Sequence, residues 1–126
     1  MLSQRSKVCV GIAAVLCGIL ASFHAEATLD LKWYRQSKSP QSGVKDHVEL
    51  YINGLRDGIV LFDAYRKRYD GVKEKFCIEG KGLDGARTLA ILDVEISDPS
   101  TGKPYPEDIP IVFVLIKALE RFAACK

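Results

Sequence analysis

The stretch from Val44 to Tyr69 constrains the fold more than any other part of this sequence. Its apolar residues recur at spacings of three and four with charged residues between them, which is typical of an amphipathic helix. These apolar positions are Val44, Val48, Tyr51, Ile52, Leu55, Ile59, Phe62 and Tyr65. A continuous helix over this range would be about 39 Å long, enough to form the spine of a small domain.

Two glycines, Gly54 and Gly58, lie four residues apart within this predicted helix. Glycine in a helix interior costs about 1 kcal/mol relative to alanine, so we expect either close approach of another helix at this face or a kink. The carboxylates Asp57, Asp63 and Asp70 lie among basic residues, a pattern that indicates a solvated face.

The first 27 residues predict a signal peptide. Basic residues precede an uncharged apolar run from Val8 to Leu20, which is shorter than the roughly 20 residues that span a bilayer. Ala25-Glu26-Ala27 then supplies a cleavage site, so residues 28–126 are expected to form an exported domain without a membrane anchor. Acylation at Cys17 is the alternative, although Leu16 stands where a lipoprotein signal has a small residue.

The charge of the mature domain argues against polyanionic partners. Two basic residues and one acidic residue leave with the leader, so the domain has 16 Lys and Arg against 15 Asp and Glu. Because this near-balance creates no strong positive field, we expect no binding to nucleic acid or to anionic lipid.

Cys77 and Cys125 are the two cysteines of the mature domain. In an oxidising compartment they are expected to form a disulfide. The alternative is a reactive Cys77 thiolate served by His47, the one histidine that remains after cleavage. Nothing in the sequence brings His47 near Cys77.

Residues 84–97 fit two elements. Helical spacing relates Ala86, Leu89, Ala90 and Val94, whereas residues 92–96 alternate between apolar and acidic as a half-buried strand would. A helix is the favoured interpretation, with the strand as the alternative.

A loop and a closing helix are predicted to complete the domain. The stretch from Asp98 to Pro106 is dense in Pro, Gly and Ser and predicts an exposed loop. Apolar residues at helical spacing between Ile109 and Ala123 then predict a helix, opened by Pro106 and with Glu107 and Asp108 complementing its dipole. The result is an all-α domain of three to four helices held by one disulfide.

Functional motifs are few. Trp33 and Tyr34 could form a binding platform, but we favour packing of this aromatic pair over an edge of the core. With one mature histidine and no recognisable nucleophile, phosphate-loop or zinc motif, the sequence predicts no enzyme, no cofactor and no metal site.

Three segments resemble the Rap/Tai group of immunity proteins, which protect bacteria against type VI secretion amidases. Residues 48–58 resemble that family's helix motif, Phe76-Cys77-Ile78 its Phe-Cys turn, and residues 118–125 its terminal segment ending in cysteine. The match runs over about residues 44–126, nearly all of the mature domain, with intervals between the three segments that suit the family. Val48 and Leu50 depart from the family pattern, which often has cysteine and glycine at these positions.

The resemblance implies a periplasmic, non-catalytic helical protein that binds and inhibits a peptidoglycan amidase effector. The alternative function is a periplasmic stress or chaperone-like helical binding protein, and homodimer formation is open under either. An inhibitor needs a segment that can enter a cleft, so Asp98, Lys103 and Tyr105 of the breaker-rich loop are the candidate partner-binding residues. The other interpretation of this loop is a solvated connection.

Overall fold

The computed structural model describes residues 29–78 and 81–126. The predicted signal peptide lies outside these ranges. Over these two ranges the fold consists of four helices: α1 (Leu31–Ser37), α2 (Lys45–Tyr69), α3 (Gly85–Ser97) and α4 (Ile111–Phe122). No strand occurs over the described ranges, where two isolated bridges are the only β pairing. The prediction of a small all-α domain is confirmed.

Helix α4 lies at the centre of the core. Its inward-facing residues are fully buried, and it packs chiefly on α3, while α2 packs on both. These buried residues are Ile111, Val114, Leu115, Ala118 and Leu119. Their spacing of three and four is the pattern that predicted the helix.

Helix α4 begins later than predicted. Pro110 occupies the N-cap position, and residues 106–109 form a turn in which the Ile109 N–H donates to the carbonyl of Pro106. The reason is backbone pairing with the start of the domain: the Leu31 N–H donates to the Ile109 carbonyl and the Ile111 N–H to the Leu29 carbonyl. A helix starting at Pro106 would lose these bonds, so Glu107 and Asp108 lie outside it.

Helix α3 confirms the helical interpretation of residues 84–97. The Asp84 side chain accepts a hydrogen bond from the Arg87 N–H at 2.8 Å and caps the first turn. Thr88, Ile91, Leu92 and Glu95 form its buried face. The apparent strand alternation fails because Val94 is exposed while the acidic Glu95 is buried.

The aromatic pair of helix α1, Trp33 and Tyr34, packs against the core, which is the interpretation that the sequence favoured. Asp30 caps this short helix by accepting from the Trp33 N–H at 2.7 Å. Tyr34 is buried and donates its hydroxyl to Asp93 of α3 at 2.9 Å, while Trp33 packs edge-on against Tyr51 of α2. Both rings therefore attach α1 to the core.

Helix α2 is continuous over its 25 residues. The expected close approach at Gly54 and Gly58 is wrong for the part of the chain that the structure describes, since both are exposed there and an added Cβ would meet nothing within 4 Å. The solvated face is also only partly correct, because Asp63 is buried. Its carboxylate accepts from the N–H groups of Lys75 and Phe76 at 2.7 and 2.9 Å, which fixes the segment after the helix.

The disulfide between Cys77 and Cys125 is present, with their Cα atoms 4.9 Å apart. Backbone pairing aligns the two cysteines: the Cys77 N–H donates to the Ala123 carbonyl at 2.8 Å and the Cys125 N–H to the Lys75 carbonyl at 3.0 Å. The bridge thus joins the segment after α2 to the end of the chain. None of the helices described here is long and apolar enough to cross a membrane.

We predict that the double variant Cys77→Ala/Cys125→Ala loses about 4 kcal/mol of unfolding free energy, because the bridge closes a loop of 48 residues in the unfolded chain. Urea unfolding followed by circular dichroism measures this loss. Reduction of the wild-type protein should give a similar loss. Unchanged stability in both experiments would contradict the prediction.

Candidate functional site

The candidate site is the α3–α4 loop, residues 98–110, which contains the three residues predicted to bind a partner. The structure places these residues in different surroundings. Asp98 lies at the C-cap of α3, Lys103 is exposed near the middle of the loop, and Tyr105 is half-buried. Their roles in binding a partner stay predictions, but their positions determine what each can do.

Asp98 is attached to α4 by Arg121. One guanidinium nitrogen donates to the Asp98 carbonyl at 2.7 Å, and the other donates to its carboxylate at 2.9 Å. This two-point contact fixes the start of the loop against the last turn of α4. The Asp98 side chain itself remains mostly exposed.

Tyr105 is attached to the core by its hydroxyl, which donates to the Glu95 carboxylate at 2.7 Å. Burial and this hydrogen bond raise the pKa of the Tyr105 phenol, which favours the protonated donor. Tyr105 therefore braces the far side of the loop, and its hydroxyl is already engaged within the chain.

The Glu95 carboxylate is the centre of this arrangement, and sequence reasoning missed it. Glu95 is fully buried, and the Oε1 atom that receives the Tyr105 hydroxyl also accepts from the Ser100 N–H at 2.8 Å and from the Ser100 hydroxyl at 2.7 Å. Its other oxygen faces Arg121 at 3.5 Å. The available signal was helical spacing, because Glu95 follows Thr88, Ile91 and Leu92 on the same face.

The pKa of Glu95 reflects two opposing effects. Burial alone would raise it, but hydrogen bonds from Ser100, Tyr105 and Arg121 together hold the pKa below its ordinary value. The carboxylate is therefore ionised at neutral pH and binds its donors strongly.

The tip of the loop is exposed between these anchors. Ser100 to Pro104 are exposed, and the Gly102 N–H donates to the Pro99 carbonyl at 2.9 Å to close a turn. Gly102 has a φ of +70°, a conformation that glycine adopts without steric cost. The loop is thus a shaped projection with Lys103 on its tip.

The far end of the loop is also attached. Glu107 forms an ion pair with Arg35 of α1, and its carbonyl accepts from the Lys32 N–H at 2.9 Å. Together with the anchors at Asp98 and Glu95, these contacts hold the loop at its start, middle and end. Such preorganisation lowers the entropy lost when a loop binds a partner.

Other chemistry-bearing side chains do not assemble a reactive centre in the part of the chain described. Potential metal ligands meet at Glu74, Cys77 and Cys125, but the two sulfur atoms are bonded to each other. Cys77 therefore has no free thiol to act as a nucleophile. His47 lies exposed in the first turn of α2.

We predict that Tyr105→Phe lowers the unfolding free energy by about 1.5–3 kcal/mol, because a buried carboxylate loses one of its donors. Tyr69→Phe is the matched control, since the hydroxyl of this exposed tyrosine has no hydrogen-bond partner among residues 29–78 and 81–126. Urea unfolding at neutral pH compares the two variants. Equal stabilities would show that the Glu95 contact does not brace the loop.

We also predict that Glu95→Gln makes the unfolding free energy depend less on pH in the acid range. The folded-state pKa of Glu95 is lowered, so its stabilisation is complete above the unfolded-state pKa of about 4.3 and is lost as the pH falls through the folded value. Between about pH 5 and pH 3 the wild type should therefore lose stability more steeply than Glu95→Gln. Parallel pH profiles from urea unfolding would contradict this assignment.

Comparison with known proteins adds no relative to this description: no protein-family model, curated protein or solved structure matches the chain.

Proposed function

We propose that the mature domain is a periplasmic immunity protein that binds a type VI secretion peptidoglycan amidase and blocks its active-site cleft. It performs no chemistry of its own in this proposal. The observation that carries it is the braced α3–α4 loop, whose exposed tip is held by contacts at Asp98, Glu95 and Glu107. A projection of fixed shape is what a cleft-blocking inhibitor requires.

The nature of the partner is proposed from the resemblance in residues 48–58, 76–78 and 118–125. Several of these residues are structural in this fold: Ala118 and Leu119 are fully buried, and Cys77 pairs with Cys125. The resemblance therefore includes positions that determine the domain architecture. The disulfide also suits a protein that acts in an oxidising compartment.

Lys103 is the residue of the loop tip that we expect to contact the amidase. Its side chain makes no ion pair with the described part of the chain, while neighbouring loop carboxylates at Asp98 and Glu107 are already paired. The free ammonium group can donate to carboxylate or carbonyl oxygens at the rim of a cleft. Reversal of its charge should oppose docking without disturbing the loop anchors.

The alternative function, a periplasmic stress or chaperone-like binding protein, is favoured by one observation. Helix α2 exposes several large apolar side chains that could hold unfolded proteins. Such a protein would bind many denatured clients through α2, whereas an immunity protein would bind one folded enzyme through the loop. The two functions therefore predict different sensitive residues.

If a neighbouring gene encodes a peptidoglycan amidase, we predict that Lys103→Glu weakens binding to that enzyme by about tenfold or more, equivalent to about 1.4 kcal/mol. Isothermal titration calorimetry measures the affinity, and hydrolysis of purified peptidoglycan measures inhibition. Lys73→Ala, at an exposed position outside the loop, is the control and should bind normally.

Three results would contradict the proposal in different ways. Unchanged affinity of a folded Lys103→Glu protein would show that the loop is only a connection. Failure of the wild-type protein to bind or inhibit that amidase would reject the immunity function. Capture of denatured client proteins, abolished by Leu61→Glu but not by Lys103→Glu, would support the chaperone-like alternative.

A further inference from the structure

The outer face of α2 is an apolar surface that no other part of the described chain covers. Its large side chains are between 54% and 73% exposed. They are Leu50, Leu61, Phe62, Tyr65 and Tyr69. At about 3.6 residues per turn these positions form one row along the helix, on a different side from the buried Val48 and Ile52. Single exposed apolar residues are ordinary, but a contiguous row indicates an interaction surface.

The row has a bulky half and an open half. Four large side chains lie beyond Gly58, towards the C-terminal end of α2, whereas the N-terminal half of the row has Leu50 and the bare backbone of Gly54. Nothing lies within 4 Å of a Cβ built at Gly54 or Gly58. A second helix can therefore approach closely at the glycines, as small residues four apart permit in helix pairs.

We propose that this face binds the same face of a second copy of the chain, with the two α2 helices antiparallel about a two-fold axis beside Gly58. Phe62 and Gly54 lie at equal distances from Gly58, so each phenylalanine fills the space above the glycine of the other copy. Leu50 likewise faces the turn that contains Tyr65. The proposal is independent of the proposed immunity function.

The charges on this face support the antiparallel arrangement. Asp46 lies beside the N-terminal half of the row, and Arg68 lies about five turns after Leu50 on the same side. Both are exposed, and neither has an ion-pair partner within the described part of the chain. Antiparallel pairing brings Asp46 of each copy near Arg68 of the other. Parallel pairing would instead place bulky residues together and like charges together.

The available area fits a modest, reversible dimer. Free Phe and Tyr side chains expose about 150–250 Å² each, so five large residues that are more than half exposed offer several hundred Å² per copy. A standard interface buries about 800 Å² per partner. The area that the row offers lies at the lower end of this size class. We therefore expect a dissociation constant of about 1–100 µM.

The test measures the mass of the leader-processed, disulfide-bonded protein by sedimentation velocity over about 1–200 µM. The wild type should shift from monomer to dimer. Gly54→Gln should weaken the dimer at least tenfold while retaining the fold, because glutamine favours the helix and its Cβ meets no atom of residues 29–78 and 81–126 within 4 Å. Leu61→Glu should have the same effect, whereas Phe113→Glu, at an apolar position on α4 that is also more than half exposed, should not.

A charge exchange tests the antiparallel geometry. Asp46→Arg and Arg68→Glu should each weaken the dimer, and the double variant should restore it. A wild-type protein that is monomeric throughout the range would overturn the proposal, as would a dimer that Gly54→Gln and Leu61→Glu leave intact. Binding of denatured clients by the monomer through Leu61 would assign the face to a different occupant and would also overturn it.

Discussion

The buried carboxylate of Glu95 determines the arrangement of three parts of this domain. It lies on α3, receives hydrogen bonds from Ser100 and Tyr105 of the α3–α4 loop, and faces Arg121 of α4. A charge without such partners would cost several kcal/mol to remove from water. Here the donors offset that cost, and the carboxylate fixes the loop relative to both helices.

A second buried carboxylate, that of Asp63, is satisfied in the same way. The carboxylate of Asp63 on α2 accepts hydrogen bonds from two backbone N–H groups of the segment that leads to Cys77. This segment then pairs with the end of the chain across the Phe76–Ala124 bridge, which brings Cys77 and Cys125 into bonding distance. The buried Asp63 carboxylate and the disulfide therefore both hold this segment in place. Such contacts supplement the limited apolar burial that a domain of this size provides.

The sequence was most informative where one periodic pattern extended over several turns. Helices α2 and α4 were predicted on this basis, and the disulfide followed from having two cysteines outside the predicted signal peptide. The short α1 was missed because it depends on its Asp30 cap and on the distant contact between Tyr34 and Asp93. Local propensity contains little information about such contacts.

The errors in the predictions also have a common cause. Pro106 is a suitable first residue for a helix, but pairing of residues 107–111 with the N-terminal segment delays α4 to Ile111. Glu95 and Asp63 looked like surface carboxylates, and only the tertiary structure supplies the donors that permit their burial. At the candidate site, the sequence identified the loop but could not distinguish its anchors from its exposed tip.

The exposed tip of the loop and the outer face of α2 lie on separate surfaces. The inner face of α2 packs against α3 and α4, and the loop connects those two helices, so the outer face of α2 points away from the layer that carries the loop. Pairing through α2 would therefore leave Lys103 of each copy accessible. A dimer could then present two loops at once, and binding at one surface would not require dissociation at the other. The two surfaces can be altered independently because no described side chain contributes to both.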